Sequence, residues 1–231
     1  MTAQLAIVIP VLDEAAGLAS KLAALAPLRA SGACVIVVDG GSSDATFAIA
    51  SEHADVALQA PPGRASQMNA GAAVASADVL LFLHADTILP KQADVLIARA
   101  IADGCDWGRF DVRIDGSQPL LRLVERAMNL RSRLTGIATG DQAMFVRSDV
   151  LRAIGGFPAI ALMEDIALSR LLKARGRPAC LHARVVTSAR RWQRDGVLRT
   201  IVLMWRLRLA YYFGADPADL SLRYGRQPRR S

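Results

Sequence analysis

The chain has three cysteines, Cys34, Cys105 and Cys180, among 231 residues. They stand far apart, with neither metal-ligand spacing nor a disulfide framework, which suits a reducing compartment. No apolar stretch reaches eighteen residues, because Arg64, Asp78, Arg147 and similar residues interrupt every candidate, so no membrane span is expected. The opening MTAQLAIVIP is too short and too uncharged for a secretory signal. A soluble cytoplasmic protein is the expectation, with attachment at the inner face of a membrane as the alternative. Neither G-x-G-x-x-G nor G-x-x-x-x-G-K-[S/T] follows any predicted strand, so a glycine-rich phosphate cradle is not foreseen. An RNP-like string, a K-homology loop and zinc-knuckle spacing are missing too, so nucleic acid is not an expected partner. Internal repeats and a clear interdomain linker are also lacking.

Hydrophobic residues make up 52% of the chain, ample for a core, and this length fits one large domain or a domain with an appendage. The formal net charge is +7. Basic residues crowd into 170–208 and 223–230, which suits a polyanionic or anionic-lipid partner as well as a solvated basic face. Apolar runs predict strands at Leu5–Ile9, Val35–Val38, Val56–Leu58 and Val79–Leu83. Helical spacing falls between them, at Glu14–Leu25, from Ser42 or Ser43 as cap to His53, and at Ser66–Ser76. A further helix, Lys91–Ile101, is expected to start at Pro90. This alternation predicts an α/β fold with a parallel sheet and helices on both faces.

The second half is less regular. Expected there are an antiparallel strand at Asp106–Ile114, a helix at Leu120–Arg133 and strands at Ala143–Val146 and Cys180–Val186. Helices are expected at Glu164–Ala174 and Val197–Phe213. Core packing is the favoured role for the last, given Trp205 and Tyr211-Tyr212-Phe213, with subunit pairing, shelter of an apolar acceptor and membrane contact as alternatives. The division expected is one domain, 1–214, followed by a basic tail, 215–231, frayed at RYGRQPRRS.

Carboxylates collect where strands end. Asp39 closes Val35–Val38 and is followed by two glycines, and Asp86 lies three residues beyond Val79–Leu83. Acidic groups at the carboxyl ends of strands are how an open α/β sheet builds a nucleotide and metal site. Asp39 can accept hydrogen bonds from a base or a ribose. Asp86 offers hard oxygen to Mg²⁺ or Mn²⁺, with His84 and Ala85 beside it, if a substrate supplies further ligands. After the first strand come Pro10, Val11, Leu12, Asp13 and Glu14, whose backbone and carboxylates meet the ligand edge or complement a helix dipole. Arg64 opens a helix where a phosphate would be favoured, and Gln67 and Asn69 are lone polar residues in it. Gly140-Asp141-Gln142 and Glu164-Asp165 add carboxylates, and adjacent Glu164 and Asp165 are not expected to point the same way. A carboxylate near a substrate hydroxyl serves as general base. Arg190, Arg191 and Trp192 place two guanidinium groups beside an indole, suited to a diphosphate and a sugar or base.

In order along the chain, IVIPVLDEA, VIVVDGGSSDAT, GRASQMNAGA, LLFLHADT, WGRFDV, TGDQAMFVR, GGFP, LMEDIALSRLL and SARRW resemble the inverting family-2 glycosyltransferases. Those enzymes have the GT-A fold, and the narrower likeness is to a small bacterial branch of radical-SAM/selenodomain-associated transferases. The resemblance implies a GT-A-like nucleotide-binding sheet with helices on both faces and a mixed acceptor-side region. It implies that Asp39 recognises the base, with Pro10, Val11, Leu12, Glu14, Arg64, Asn69, His84 and Ala85 around the nucleotide. Asp86 is similar to the last acidic residue of the family's D-x-D, although His84 stands where many relatives have the first Asp. Asp165, with Glu164 beside it, matches the expected base. Gly140, Asp141, Gln142, Arg190, Arg191 and Trp192 would serve diphosphate and acceptor, although Ser188 replaces the Gln of a Q-x-x-R-W string.

The implied reaction moves a sugar from a nucleotide-diphosphate donor, linked to uridine or guanosine, to an acceptor hydroxyl with inversion, assisted by Mg²⁺ or Mn²⁺. A lipid-linked acceptor, a homodimer and a peripheral membrane contact are among the partners considered. The competing readings are a sugar-nucleotide nucleotidyltransferase, which lacks support from a basic glycine-rich loop after the first strand, and a non-catalytic relative that binds a partner or lipid.

Overall fold

β1, Leu5–Val11, is apolar at nearly every position and buried along its length, the pattern of a strand covered on both faces. The computed structural model describes residues 4–225, and the expected tail residues Arg226, Arg229 and Arg230 lie outside them. After β1 come α1 (Ala15–Ala24), a short α2 (Ala26–Ala30), β2 (Cys34–Asp39), α3 (Thr46–His53), β3 (Val56–Gln59), α4 (Arg64–Val74) and β4 (Val79–Phe82). β1 pairs in parallel with both β2 and β4, and β2 pairs in parallel with β3. The parallel half thus has the order β3-β2-β1-β4. α4 lies close on this sheet at Gly71, where a Cβ would come within 2.4 Å of a Val8 methyl.

Several boundaries differ from expectation. Neither Ser42 nor Ser43 caps α3, whose N-cap is Ala45; both serines are engaged by carboxylates near the strand ends. β1 continues through Pro10 to Val11, since Pro10 pairs with Val38 without needing its own N–H at every ladder position. The helix expected from Pro90 starts instead at Ala93, after Gln92 turns left-handed at φ 57°.

The second half completes one eight-stranded sheet. Its elements are β5 (Thr87–Ile88), α5 (Ala93–Ala102), β6 (Trp107–Asp115), α6 (Pro119–Thr135), a single turn at Gly140–Gln142, β7 (Met144–Arg147), α7 (Ser148–Ala153), α8 (Glu164–Lys173), β8 (Ala179–Ser188), α9 (Arg190–Asp195), α10 (Val197–Tyr212) and α11 (Pro217–Arg223). The order continues β4-β7-β6-β8-β5. β7 is antiparallel to β4 and β6, whereas β6 and β8 run parallel. β7 reaches only Trp107 and Gly108 of β6, and side chains of α6 satisfy the strand beyond. Asn129 accepts from the Val112 N–H at 2.9 Å and donates to its carbonyl at 3.0 Å. Glu125 accepts from the Ile114 N–H at 2.6 Å. Helix side chains here cover an otherwise open sheet edge.

Two features of the C-terminal region depart from the sequence reading. The expected tail from 215 holds α11, whose Leu220 is fully buried with Leu162, Met163, Ile166 and Leu207. α10 is not a core helix: Val197, Thr200 and Leu207 are buried, but Trp205, Tyr212 and Phe213 are 74%, 72% and 77% exposed. Periodicity finds an apolar stripe without saying what covers it. Among the described residues, no helix is long and apolar enough to cross a membrane.

Candidate functional site

The parallel register brings the carboxyl ends of β1, β2 and β3 into line, with Val11 opposite Asp39 and Asp39 opposite Gln59. β4 lies on the other side of β1 in the same direction. Residues 12–14, 39–42 and 84–86 therefore leave the sheet at one edge. Asp39 and Asp86 come from strands separated by β1 alone, a lateral spacing of about 10 Å.

Asp39 is fully buried. Its carboxylate accepts from the backbone N–H groups of Gly41 and Ser42 at 3.0 and 2.9 Å, and from the Ser42 hydroxyl. The Ser42 Oγ in turn accepts from the Asp13 N–H at 2.9 Å, and Asp13 accepts from the Ser43 N–H at 2.7 Å. These bonds join the loops after β1 and β2. Gln67 fills the split behind them, its amide donating to the carbonyls of Val11 and Val38, both at 2.8 Å.

In front of the edge lies a cavity of about 1940 Å³. Its wall includes Pro10, Val11, Leu12, Glu14, Arg64, His84, Ala85 and Asp86 from the parallel half. Across from them stand Gly140, Asp141, Glu164, Asp165, Arg190, Arg191 and Trp192. Four residues foreseen for the site, Asp13 with Asp39, Asn69 and Gln142, are not on this wall. Asp13 and Asp39 hold the loops just described. Asn69 clamps the Gly156-Phe157 turn, donating to the Phe157 carbonyl at 2.9 Å and accepting from its N–H at 2.8 Å. Gln142 is fully buried and accepts from the Thr139 N–H at 3.2 Å, closing its own turn. Each was a polar residue in a motif, and the last three satisfy backbone groups that burial would otherwise leave unpaired.

Charges of both signs meet in the cavity wall. His84 Nδ1 lies 3.2 Å from Asp141 Oδ1. Burial pushes the Asp141 carboxyl up, but the His84 bond and charge, with Arg64 and Arg191, outweigh it and hold the group below the usual carboxylate range. The reverse holds at Asp165. Burial, then the charge of Glu164, push its carboxyl up to about 6, against the pull of hydrogen bonds from Gly140 and Ile166 and of Arg64. Those bonds come from the Gly140 N–H to Oδ2 at 2.9 Å and the Ile166 N–H to Oδ1 at 2.7 Å. Neighbouring helical residues diverge by about 100°, yet Glu164 and Asp165 both reach the cavity, because it wraps the start of α8. Met163, just before them, holds a left-handed backbone at φ 69°, a conformation that a non-glycine residue keeps only where its surroundings enforce it.

Gly140 sits between these two carboxylates. A Cβ there would lie 2.3 Å from His84 Nε2. Gly140→Ala is therefore expected to displace the His84 ring and break its pair with Asp141. A crystal structure of the variant checks this; an intact pair would show that the backbone yields instead.

α9 and α11 close the opposite wall. The Arg191 guanidinium stacks 3.6 Å from the centre of the Tyr224 ring and donates to the Tyr224 carbonyl at 2.9 Å. Arg190 approaches Glu14 at 3.9 Å across the cavity mouth. Trp192 is half-buried and packs with the Ile114, Leu121 and Val124 cluster.

Sequence reasoning passed over Arg131 and Tyr224, which also line the cavity, and held shelter of an apolar acceptor by the α10 residues only as an alternative to core packing. Arg131 is one of 28 basic residues and carries no local motif. Burial lowers its pKa, against the charges of Asp165 and Asp141 that favour the cation. Gln67 had a signal, as one of two amides in an alanine-rich helix.

Among the described residues, no group of three or more His, Cys, Asp or Glu side chains could by itself hold a metal ion. Asp86, alone on its loop beside the cavity, fits a cation that takes most of its ligands from a bound diphosphate and water, as Mg²⁺ commonly does.

A parallel β3-β2-β1-β4 half, carboxylates at its carboxyl edge and a mixed second half enclosing the same cavity define an α/β fold of the nucleotide-binding type. The chain belongs to glycosyl transferase family 2, whose profile matches residues 6–153. The fold is shared with solved structures. With S. aureus TarS 1–349 the TM-score is 0.64 at 18% identity, over 80% of this chain and 60% of that one. The same TarS fragment in complex with UDP-GlcNAc matches with the same TM-score and identity, over 58% of its length. The mannosyltransferase PcManGT from Pyrobaculum calidifontis, in complex with GDP-Man and Mn²⁺, gives 0.63 at 20% identity, over 91% of this chain and 61% of that one. The chain thus spans less than two thirds of the length of these structures. No curated protein matches it in sequence.

Proposed function

We propose that the protein transfers a sugar from a nucleotide-diphosphate donor to an acceptor hydroxyl with inversion at the anomeric carbon. The observation that carries this reading is the state of Asp165. It is a carboxyl oriented by two backbone N–H groups and raised to about 6, in a cavity that also holds Arg64, Arg131 and Arg191. A general base works best when its pKa lies near the operating pH. Asp165 takes the hydroxyl proton as the acceptor oxygen attacks the anomeric carbon, on the face opposite the diphosphate. Burial, and then the charge of Glu164, raise the basicity of Asp165. Arg64, Arg190 and Arg191 hold the diphosphate and offset the charge that grows on it as the glycosidic bond breaks. His84, fixed by Asp141, borders the same group. The backbone of Pro10–Leu12 and the Asp39-anchored loop shape the nucleotide end. Asp86 would hold Mg²⁺ or Mn²⁺ together with the donor's own oxygens. Such a cation supplies positive charge to the departing diphosphate. Donors linked to uridine or guanosine are the first candidates, since a fold relative is solved with each class.

Incubation of the purified chain with UDP-GlcNAc and with GDP-mannose, in Mn²⁺, is the test. Release of free nucleoside diphosphate supports glycosyl transfer. Release of pyrophosphate would instead support nucleotidyl transfer, and neither donor binding nor turnover would favour a non-catalytic relative. Chelator is expected to remove activity, and Mn²⁺ or Mg²⁺ to restore it. Full activity in chelator would assign leaving-group stabilisation to the arginines alone.

A further inference from the structure

α6 and α10 pack part of their apolar surface on the sheet, Leu121 and Val124 of α6 and Val197 of α10 against Ile114 of β6, and turn the rest toward the cavity. α6 faces β6 with Glu125, Asn129 and Ser132, which bond to strand backbone or to Arg109. Leu123, Ala127 and Met128 of α6 line the cavity together with Val202, Trp205 and Leu209 of α10, Met128 also packing against the core. Leu123, Trp205 and Leu209 remain 61%, 74% and 59% exposed, an apolar trough open to water. Such a surface marks a binding site rather than ordinary exposure.

The trough has a charged end. Residues 123, 127 and 131 succeed one another on one face of α6, so its wall passes from Leu123 to Arg131 over about 12 Å. Arg131 Nε and Nη2 are buried without a hydrogen-bond partner, so the guanidinium, although near the charges of Asp165 and Asp141, keeps two donors open to a bound anion. Every charged residue that α6 and α10 give to the wall is an arginine: Arg131, Arg206 and Arg208. Pairing two copies through this face would bring like charges together. An anionic amphiphile satisfies both the trough and its cations.

We infer that the groove between α6 and α10 is the acceptor subsite, and that the acceptor is an amphiphile. Its apolar chain lies between the helices, an anionic group meets Arg131, and its hydroxyl is directed toward Asp165. The inference rests on the reading of Asp165 as proton acceptor and names the class of molecule that Asp165 would activate.

Titration of the full chain with octyl, decyl and dodecyl phosphate, each below its micelle concentration, tests it by calorimetry. Affinity is expected to rise roughly threefold to fourfold per added methylene. Leu209→Glu and Val202→Glu, both at exposed positions, should flatten that dependence. Arg131→Gln should remove the preference for dodecyl phosphate over neutral dodecyl glucoside. Binding of UDP-GlcNAc or GDP-mannose is measured on the same samples. Donor binding with no affinity for dodecyl phosphate would overturn the acceptor inference and leave the proposed transfer standing. A chain-length dependence unchanged in Leu209→Glu would overturn it too, by placing the chain elsewhere. So would a dimer in light scattering that Leu209→Glu dissociates, since the groove would then be a subunit interface.

Discussion

Asp165→Asn should lower turnover by about 10²-fold or more while the protein stays folded. Asparagine keeps the shape and loses the basicity. The dependence on pH should carry the same signature: kcat/KM of the unaltered protein rises with pH through an acid limb near 6, where Asp165 ionises in the free protein. Folding is linked to the same group. A carboxyl whose folded pKa is raised binds its proton more tightly in the folded state. Its stabilising contribution is present below the unfolded value near 4 and is lost as pH rises through about 6. At pH 7 the ionised group therefore costs up to about 3 kcal/mol. Asparagine relieves that cost but turns an amide NH₂ toward one of the two backbone donors, an opposing loss of about 1–3 kcal/mol. The thermal midpoint of the variant should stay within about 4 °C of the unaltered protein. Near-normal turnover by folded Asp165→Asn would remove the assignment, and an acid limb near 4 would place the base elsewhere.

The second large effect concerns the C-terminal helix. Leu220 is fully buried against Leu162, Met163, Ile166 and Leu207. Leu220→Ala should cost about 2–5 kcal/mol of folding stability, read as a lower urea midpoint. A chain ending at Gly214 should lose more, because it uncovers the whole cluster beside Met163 and removes the Tyr224 ring and carbonyl that hold Arg191. An unchanged midpoint in the shortened chain would return 215–225 to the status of a dispensable tail.

The parallel half was legible because its signals are local. Unbroken runs such as VIVVD and VLLF can be little else than strands buried on both faces, and the alternation with helices fixes their parallel sense. Carboxylates at strand ends were legible for the same reason: topology places every carboxyl end of the parallel strands at one edge. What a polar side chain does once there was not legible. Asp39, Asn69 and Gln142 each sit in a conspicuous string, but their partners are backbone groups whose positions only the folded chain sets. The second half hid more. β6 has an antiparallel neighbour in β7 and a parallel one in β8, a mixture that no spacing announces. α10 misled because tryptophan and tyrosine are usual core residues, whereas here they form the wall of an open groove. Arg131 had no motif at all, and its distinction is the company of Asp141 and Asp165, ten and thirty-four positions later in the chain.

Gly140 has a mechanical consequence. Its nitrogen steadies Asp165, and its α-carbon leaves no room for a methyl group beside His84. One residue therefore borders both the His84 ring and the Asp165 carboxylate. A push on the imidazole is passed through that residue to the Asp165 oxygen that its N–H supports. Substitutions that move His84 are accordingly expected to shift the acidity of Asp165 as well, so a change on one side of this glycine is felt on the other.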